Sequence, residues 1–435
     1  MTLPELIRLS SAESTAFFDP FALHARLDFE INDRDLFAVN FPIILHEYVH
    51  YLQSVSTVYG LHRVLDWIRT GVRLASVLPP LQEIRVPLRT WWKKDDCPQP
   101  LRMQMAHIRE RLDLNHDLEQ TEVIPARAAT MIGALQIADV IFRSDQESHI
   151  VAILPIGDGR AIPVGARALA EGMSASVQRM WEDEPRIDAT LAQLDPEDSG
   201  WYTATRTILA KIIGSDLDID FINAYVCDAA MMTRNPPASF IHAAAAIVDA
   251  RAGSKAAVVE TVREALREVV GEEIDDTRHG IAEILARLHG SVEPFAQAVS
   301  LLLSTCDQLL VRRSAEIGFP IDLLCGDMRS ELKTLIADYP LPCYFSGSSF
   351  LSWHNDEVLG RLGEELLMME HAMRILLFGT ERERACPLTD SSSCQAPKTI
   401  LCGMAPWRIH LDAEGMICAF GSAMVTFGAV GKVIE

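Results

Sequence analysis

His46, Glu47 and His50 stand in the run His-Glu-Tyr-Val-His, the pattern His-Glu-x-x-His. Residues four apart are neighbours on a helix surface, so the two imidazoles can reach one ion. Glu47, one step from His46, can address a water on that ion without being a ligand. Two imidazoles and one carboxylate leave a zinc ion with positive charge, which lowers the pKa of its water to about 7, and the motif glutamate takes the proton. With 13 histidines and 60 acidic residues in 435, about 0.05 such matches are expected by chance. The bland alternative is a pair of partly exposed histidines on an amphipathic helix.

The surrounding residues supply the helix that this chemistry needs. Phe41, Ile44, Leu45, Tyr48, Val49, Leu52 and Val55 form one apolar face, while His46, His50, Gln53 and Thr57 follow a second helical stripe. The helix is expected to run to about Gly60, followed by a second one over 61–78 that Pro79-Pro80 stops.

A hydrolytic zinc site takes three protein ligands. Position 56, six after His50, is serine, so the third ligand must come from another element. The residues alone leave Glu171 open beside Glu147, His149, Glu182 and Glu184, and Glu171 could instead pair with Arg167 one turn away. The segment Leu169-Ala170-Glu171-Gly172-Met173-Ser174-Ala175 resembles the glutamate helix of gluzincin metallopeptidases, where glycine follows the ligand and a small residue sits four positions on. Together with the His46–His50 motif it makes about a tenth of the chain similar to the gluzincin branch of the zincins. That resemblance implies that His46, His50 and Glu171 hold zinc and that Glu47 is the general base. It further implies that Gly172 and Ala175 let the glutamate helix lie close to the motif helix.

Gluzincins often meet the oxyanion of peptide hydrolysis with a Tyr or His donor from a helix beyond the glutamate ligand. Tyr202, Tyr225 and His242 are the residues here that could do so, and Tyr225 and His242 join Glu47 as the catalytic candidates. Each also reads as a core or rim residue. Asp228 could orient a ligand histidine, or simply be a surface carboxylate. Cys386, Cys394, Cys402 and Cys418, with His410 among them, lack the close pairs of a zinc ribbon and read mainly as buried thiols.

The formal charge of −21 argues against a nucleic-acid or anionic-membrane partner, and a peptide or protein substrate is expected. Apolar residues make up 49%, enough for a large core. No run of 18 apolar residues suggests a membrane span; the nearest, Met416 to Gly431, reads as a pair of strands. Nine scattered cysteines and no signal-like run over Met1 to Phe18 suggest reduced thiols and a cytoplasmic location.

The expected fold is mainly α with a small β-sheet (α+β), a zincin-like core with an extra helical region. Residues 1–200 would hold the catalytic region, 201–380 helices completing the cleft, and 381–435 a cysteine-containing tail with short strands. Residues 25–31 alternate as a strand expected at the cleft, where an edge strand could line substrate. Residues 81–100 read as a loop, 101–113 and 125–143 as helices. Ser148–Pro155 and Arg160–Val164 read as strands around the turn Gly157-Asp158-Gly159, with a helix opening at Gly165. From 200 to 378 the chain reads as helices, including 255–270, 275–289 and 327–337. The expected function is zinc-dependent peptide hydrolysis of narrow range. The alternatives are a non-proteolytic or peptide-tailoring zinc hydrolase and an inactive zincin-like binding protein.

Overall fold

The computed structural model describes residues 16–19, 23–27, 34–119, 123–125, 130–132, 135–141, 148–182, 186–213, 217–288, 293–325, 332–339, 343–346, 349–351, 357–379, 385–389, 402–403, 405–408 and 418–434. The fold is mainly α with small sheets, as expected. The described residues open with strands β1 (Ala16–Asp19) and β2 (His24–Leu27), then the motif helix α1 (Arg34–Ser56) and α2 (Val58–Val77). After β3 (Ile84–Arg85), α3 (Leu88–Trp91) and α4 (Gln99–Glu119) come β4 (Ile124–Pro125), β5 (Thr130–Ile132), β6 (Leu135–Ile141), β7 (Ser148–Gly157) and β8 (Arg160–Pro163). Helices α5 (Ala166–Trp181), α6 (Arg186–Leu191), α7 (Pro196–Ile213), α8 (Ile219–Met231), α9 (Pro236–Ala250), α10 (Lys255–Leu288), α11 (Glu293–Ala315), α12 (Phe319–Cys325) and α13 (Leu332–Asp338) follow. The chain continues through β9 (Cys343–Ser346), β10 (Ser349–Leu351), α14 (Glu357–Phe378), α15 (Ala419–Thr426) and β11 (Val433–Ile434).

From Pro42 to Ser56, helix α1 is buried almost all round. Tyr48, Val49, Leu52 and Val55 enter the core, each burial contributing about 1.5–3 kcal/mol. The stripe carrying His46, Glu47 and Gln53 is buried as well, because α5 lies along it. The helix ends at Ser56 rather than near Gly60. Thr57 turns to an extended conformation, donates to the Gln53 carbonyl, and accepts from the Gly60 N–H as the cap of α2. A Cβ on Gly60 would stand 2.0 Å from the Gln53 carbonyl oxygen, so this elbow requires glycine.

Among the described residues, β3 and β11 form a small parallel pair, and two larger sheets flank the helices. One has the order β1-β2-β9-β10, with β2 and β9 parallel, and its first two strands pack on α1. Strand β2 therefore has neighbours on both sides and is not the substrate-lining edge expected of residues 25–31, of which 28–31 lie outside the described residues. The other sheet has the order β4-β8-β7-β6-β5; the expected turn at 157–159 joins β7 to β8, which leads into α5. Residues 125–143 supply three of its strands instead of a helix. Ala and Leu favour helix there, but Leu135 and Ile137 are buried with Gln136 exposed between them, and pairing with β7 wins.

Other elements differ from expectation for similarly local reasons. Residues 81–100 contain β3 and α3, and α10 runs unbroken through the exposed Gly271. Of the stretch read as 327–337, residues 332–337 lie in α13 and 327–331 outside the described residues, and β9 and β10 interrupt the helical region. The C-terminal stretch forms α15 in place of two strands, capped by Cys418, whose sulfur accepts from the Gly421 N–H at 3.3 Å. One apolar core runs from Leu23 to Ala429 and draws on residues of all three stretches of the chain. Among the described residues, no helix is long and apolar enough to cross a membrane.

Candidate metal centre

The site is built where α1 and α5 cross. Gly165, with extended backbone, opens α5 and sets its register. Glu171 and Ser174 then face α1, while Gly172 and Ser176 face away. A Cβ on Gly172 would stand 2.2 Å from the Thr205 hydroxyl oxygen, and the Asn223 amide donates to the Gly172 carbonyl at 3.0 Å. The close approach that Gly172 permits is thus to α7 and α8, not to the motif helix. Ala175 packs with Ile187, Leu191 and Tyr202.

Glu171 Oε2 lies 3.5 Å from His46 Nε2 and 3.4 Å from His50 Nε2. Among the described residues, these three form the one group of ligand-type side chains gathered this closely, their ligand atoms all within 4.8 Å of one another. A tetrahedral zinc with ligand bonds near 2.0–2.2 Å separates its ligand atoms by about 3.3–3.6 Å. The two imidazole–carboxylate separations match that spacing. No aligned hydrogen bond reaches Oε2, which is buried without one, as is His46 Nδ1. Arg167 does not serve Glu171 either: its guanidinium sits over the Trp201 ring, 5.2 Å from the centroid.

A carboxylate oxygen set between two imidazole nitrogens favours a positive charge among them. In the metal-free protein a proton serves. Burial opposes it, but the Glu171 carboxylate overrides burial and raises His50 to about 9. Burial would raise Glu171 in turn, yet His50 and His46 hold it well below the usual carboxylate range. A divalent cation can take the proton's place. The group can hold a metal ion through His46 Nε2, His50 Nε2 and Glu171 Oε2.

Glu47 is buried beside this group. Burial raises its pKa, against the pull of His46 and His50. Tyr202 is the nearest of the three oxyanion candidates, its ring centroid 6.2 Å from that of His46. The Glu171 charge, and then burial, raise its hydroxyl well above the usual tyrosine range. Tyr225 is elsewhere: it is buried, stacked on Phe221, and lies so close to Gly318 that a Cβ there would meet its ring at 2.0 Å. Burial pushes its hydroxyl up to about 12. His242 is exposed on α9. Neither belongs to the group.

Asp228 is no surface carboxylate and touches no ligand histidine. It is fully buried in an ion pair with Arg313, whose Nη2 donates to Asp228 Oδ1 and to Ser56 Oγ, each at 2.9 Å. Glu182 accepts from the Ile187 N–H at 2.9 Å and from the Gln178 amide at 2.8 Å. Glu147 and Glu184 lie outside the described residues, and His149 is in β7 opposite Val140. In the tail, the Cys386 N–H donates to the Cys402 carbonyl at 2.7 Å, while Cys394 and His410 lie outside the described residues.

One contributor was visible only as a member of the polar stripe. Gln53 Oε1 lies 2.9 Å from His50 Nδ1, and its Nε2 donates to the Ala170 carbonyl at 3.0 Å. Its position one turn after His50 was the available signal. Ser174 Oγ stands 3.4 Å from the same His50 nitrogen.

The group is largely covered: the side chains of His46, His50 and Glu171 are 10%, 15% and 20% exposed. A separate cavity of about 30 Å³, lined by Leu23, Trp67, Leu366, Met373 and others, contains none of them and is too small for a peptide. Compared with known proteins, the chain matches no family model, no curated protein and no solved structure.

Proposed function

We propose that this protein is a zinc-dependent peptidase that cleaves peptide bonds with a narrow substrate range. The observation that carries the reading is the convergence of His46, His50 and Glu171 with a buried Glu47 one residue from a ligand. Two imidazoles and a carboxylate are the donor set zinc favours in hydrolytic sites. Zinc held there supplies a Lewis acid that makes water a usable nucleophile near neutral pH.

Glu47 accepts the proton of the attacking water and returns it to the leaving amine. Its burial suits this task, because a raised carboxyl pKa brings proton affinity closer to neutrality. Tyr202 keeps its proton and donates to the oxyanion of the cleaving carbonyl. Helix α5 covers the polar stripe of α1 and leaves the three ligand side chains little exposed, which restricts access to narrow or extended substrates.

The test is a peptide-library cleavage assay on zinc-loaded full-length protein with Glu47→Gln as control. Cleavage by the wild type that drops about 10²–10⁴-fold in the variant, with zinc content unchanged, supports the reading. Loss of both zinc and activity would make Glu47 a ligand. Stoichiometric zinc with no peptide cleaved would favour a non-proteolytic hydrolase, and absence of zinc from protein purified without chelator would favour a binding protein.

A further inference from the structure

The amide of Gln53 joins the two helices that carry the ligands. Its Nε2 donates to the Ala170 carbonyl at 3.0 Å and stands 3.2 Å from the Met173 sulfur, both on α5. Its Oε1 lies 2.9 Å from His50 Nδ1 on its own helix. An amide has one donor end and one acceptor end, and a backbone carbonyl can only accept. The Ala170 carbonyl therefore fixes which way the amide points. With Nε2 committed to α5, Oε1 faces the imidazole, and His50 Nδ1 must carry the proton. The lone pair of the neutral ring is then on Nε2, the atom 3.4 Å from Glu171 Oε2.

We infer that Gln53 is a positioning residue whose Oε1, turned toward His50 by the bond of its amide to the Ala170 carbonyl next to Glu171, sets the tautomer and ring angle of His50. The arrangement ties ligand orientation to the seating of α5 on α1: the contact that brings Glu171 to the site also readies His50. Gln53 is 3% exposed, so water does not compete for the amide. His46 has no such partner, its Nδ1 being buried without a hydrogen bond. Orientation of the pair by the protein thus rests on His50. Ser174 Oγ, also on α5, is farther from Nδ1 than Gln53 Oε1, so the amide makes the closer contact.

The inference deepens the metal reading and rests on it, so the test has one arm that needs no metal. Gln53→Leu removes both ends of the amide. Gln53→Glu keeps an acceptor for His50 Nδ1–H but cannot donate to Ala170. Zinc affinity, measured by chelator competition on the full-length protein, should fall about 10–100-fold in Gln53→Leu and be largely retained in Gln53→Glu. A merely structural role predicts otherwise: both variants would lose thermal stability with zinc affinity unmoved. In metal-free protein at alkaline pH, where His50 is neutral, ¹⁵N-imidazole shifts should place its proton on Nδ1 in the wild type and Gln53→Glu but not in Gln53→Leu. An Nδ1–H unaffected in Gln53→Leu overturns the inference whether or not zinc binds. Failure of the wild type to bind zinc while the spectra behave as stated would sink the metal reading and leave the positioning role standing.

Discussion

Glu171 Oε2 stands 3.4 Å from His50 Nε2, yet the chain between them passes through a helical hairpin and a five-stranded sheet. The sheet ends at β8, and the extended Gly165 converts its direction into that of α5. The seating of α5 in the stripe of α1 is what turns two sequence-distant segments into one donor set. This makes Glu171 the residue with most to lose by substitution.

Glu171→Ala should weaken zinc binding by more than the roughly 10–100-fold typical of residues that only orient ligands. Glu182→Ala should leave affinity unchanged, because that carboxylate caps the Ile187 N–H instead. Chelator competition on both variants decides it. Equal losses, or none in Glu171→Ala, would detach Glu171 from the site.

Tyr202→Phe should lower kcat about 10²–10³-fold with little change in KM, as expected for a donor that meets charge only in the transition state. Tyr225→Phe and His242→Ala should leave kcat intact, since one is stacked on Phe221 and the other is exposed. Steady-state kinetics on a cleaved peptide distinguishes them. A kcat collapse in Tyr225→Phe with Tyr202→Phe active would reverse the assignment.

Asp228→Ala should destabilise the fold by about 3–5 kcal/mol, because Arg313 would remain buried without its counter-charge. The denaturation midpoint in urea reads this directly. A loss below about 1 kcal/mol, the scale of an exposed pair, would show that water reaches Arg313 after all.

His62 gives a pH prediction away from the site. Burial first, then Arg234, whose Nε donates to His62 Nε2 at 3.0 Å, lower its pKa to about 4. The unfolded chain takes up this proton near pH 6.5. Between those values the unfolded state binds more protons, so this group's contribution to stability falls as pH drops from about 6.5 to 4. NMR titration should show His62 neutral at pH 5, and Arg234→Ala should move its pKa upward. A midpoint near 6.5 in the wild type would refute the burial argument.

The parts of the site that follow short periodic rules were readable in advance. An i, i+4 pair of histidines, a glycine turn between two alternating runs and a helix opening at Gly165 depend on neighbours in sequence, and the structure retains them. What could not be read depends on distant partners. Gly172 looks the same in sequence whether it admits α1 or α7, and only packing shows that Thr205 is its neighbour. Tyr202 and Tyr225 are both tyrosines on apolar helices, and one helix rotation separates a site residue from a core residue. Asp228 needed Arg313, eighty-five positions away, before it could be buried. Residues 125–143 carry helix formers whose propensity is overridden once β7 is present to pair with.

The place of β2 inside its sheet bears on how the protein is made. Its partner β9 is emitted from the ribosome more than three hundred residues later, and Arg313, which grips the end of the motif helix at Ser56, also arrives late. A nascent chain that has just passed Glu171 already contains all three donor residues, but β2 still has an open side and Asp228 has not been made. Such a chain carries the chemistry without the scaffold. Translation order therefore puts the three donor residues in the chain well before the partners that complete the scaffold around them.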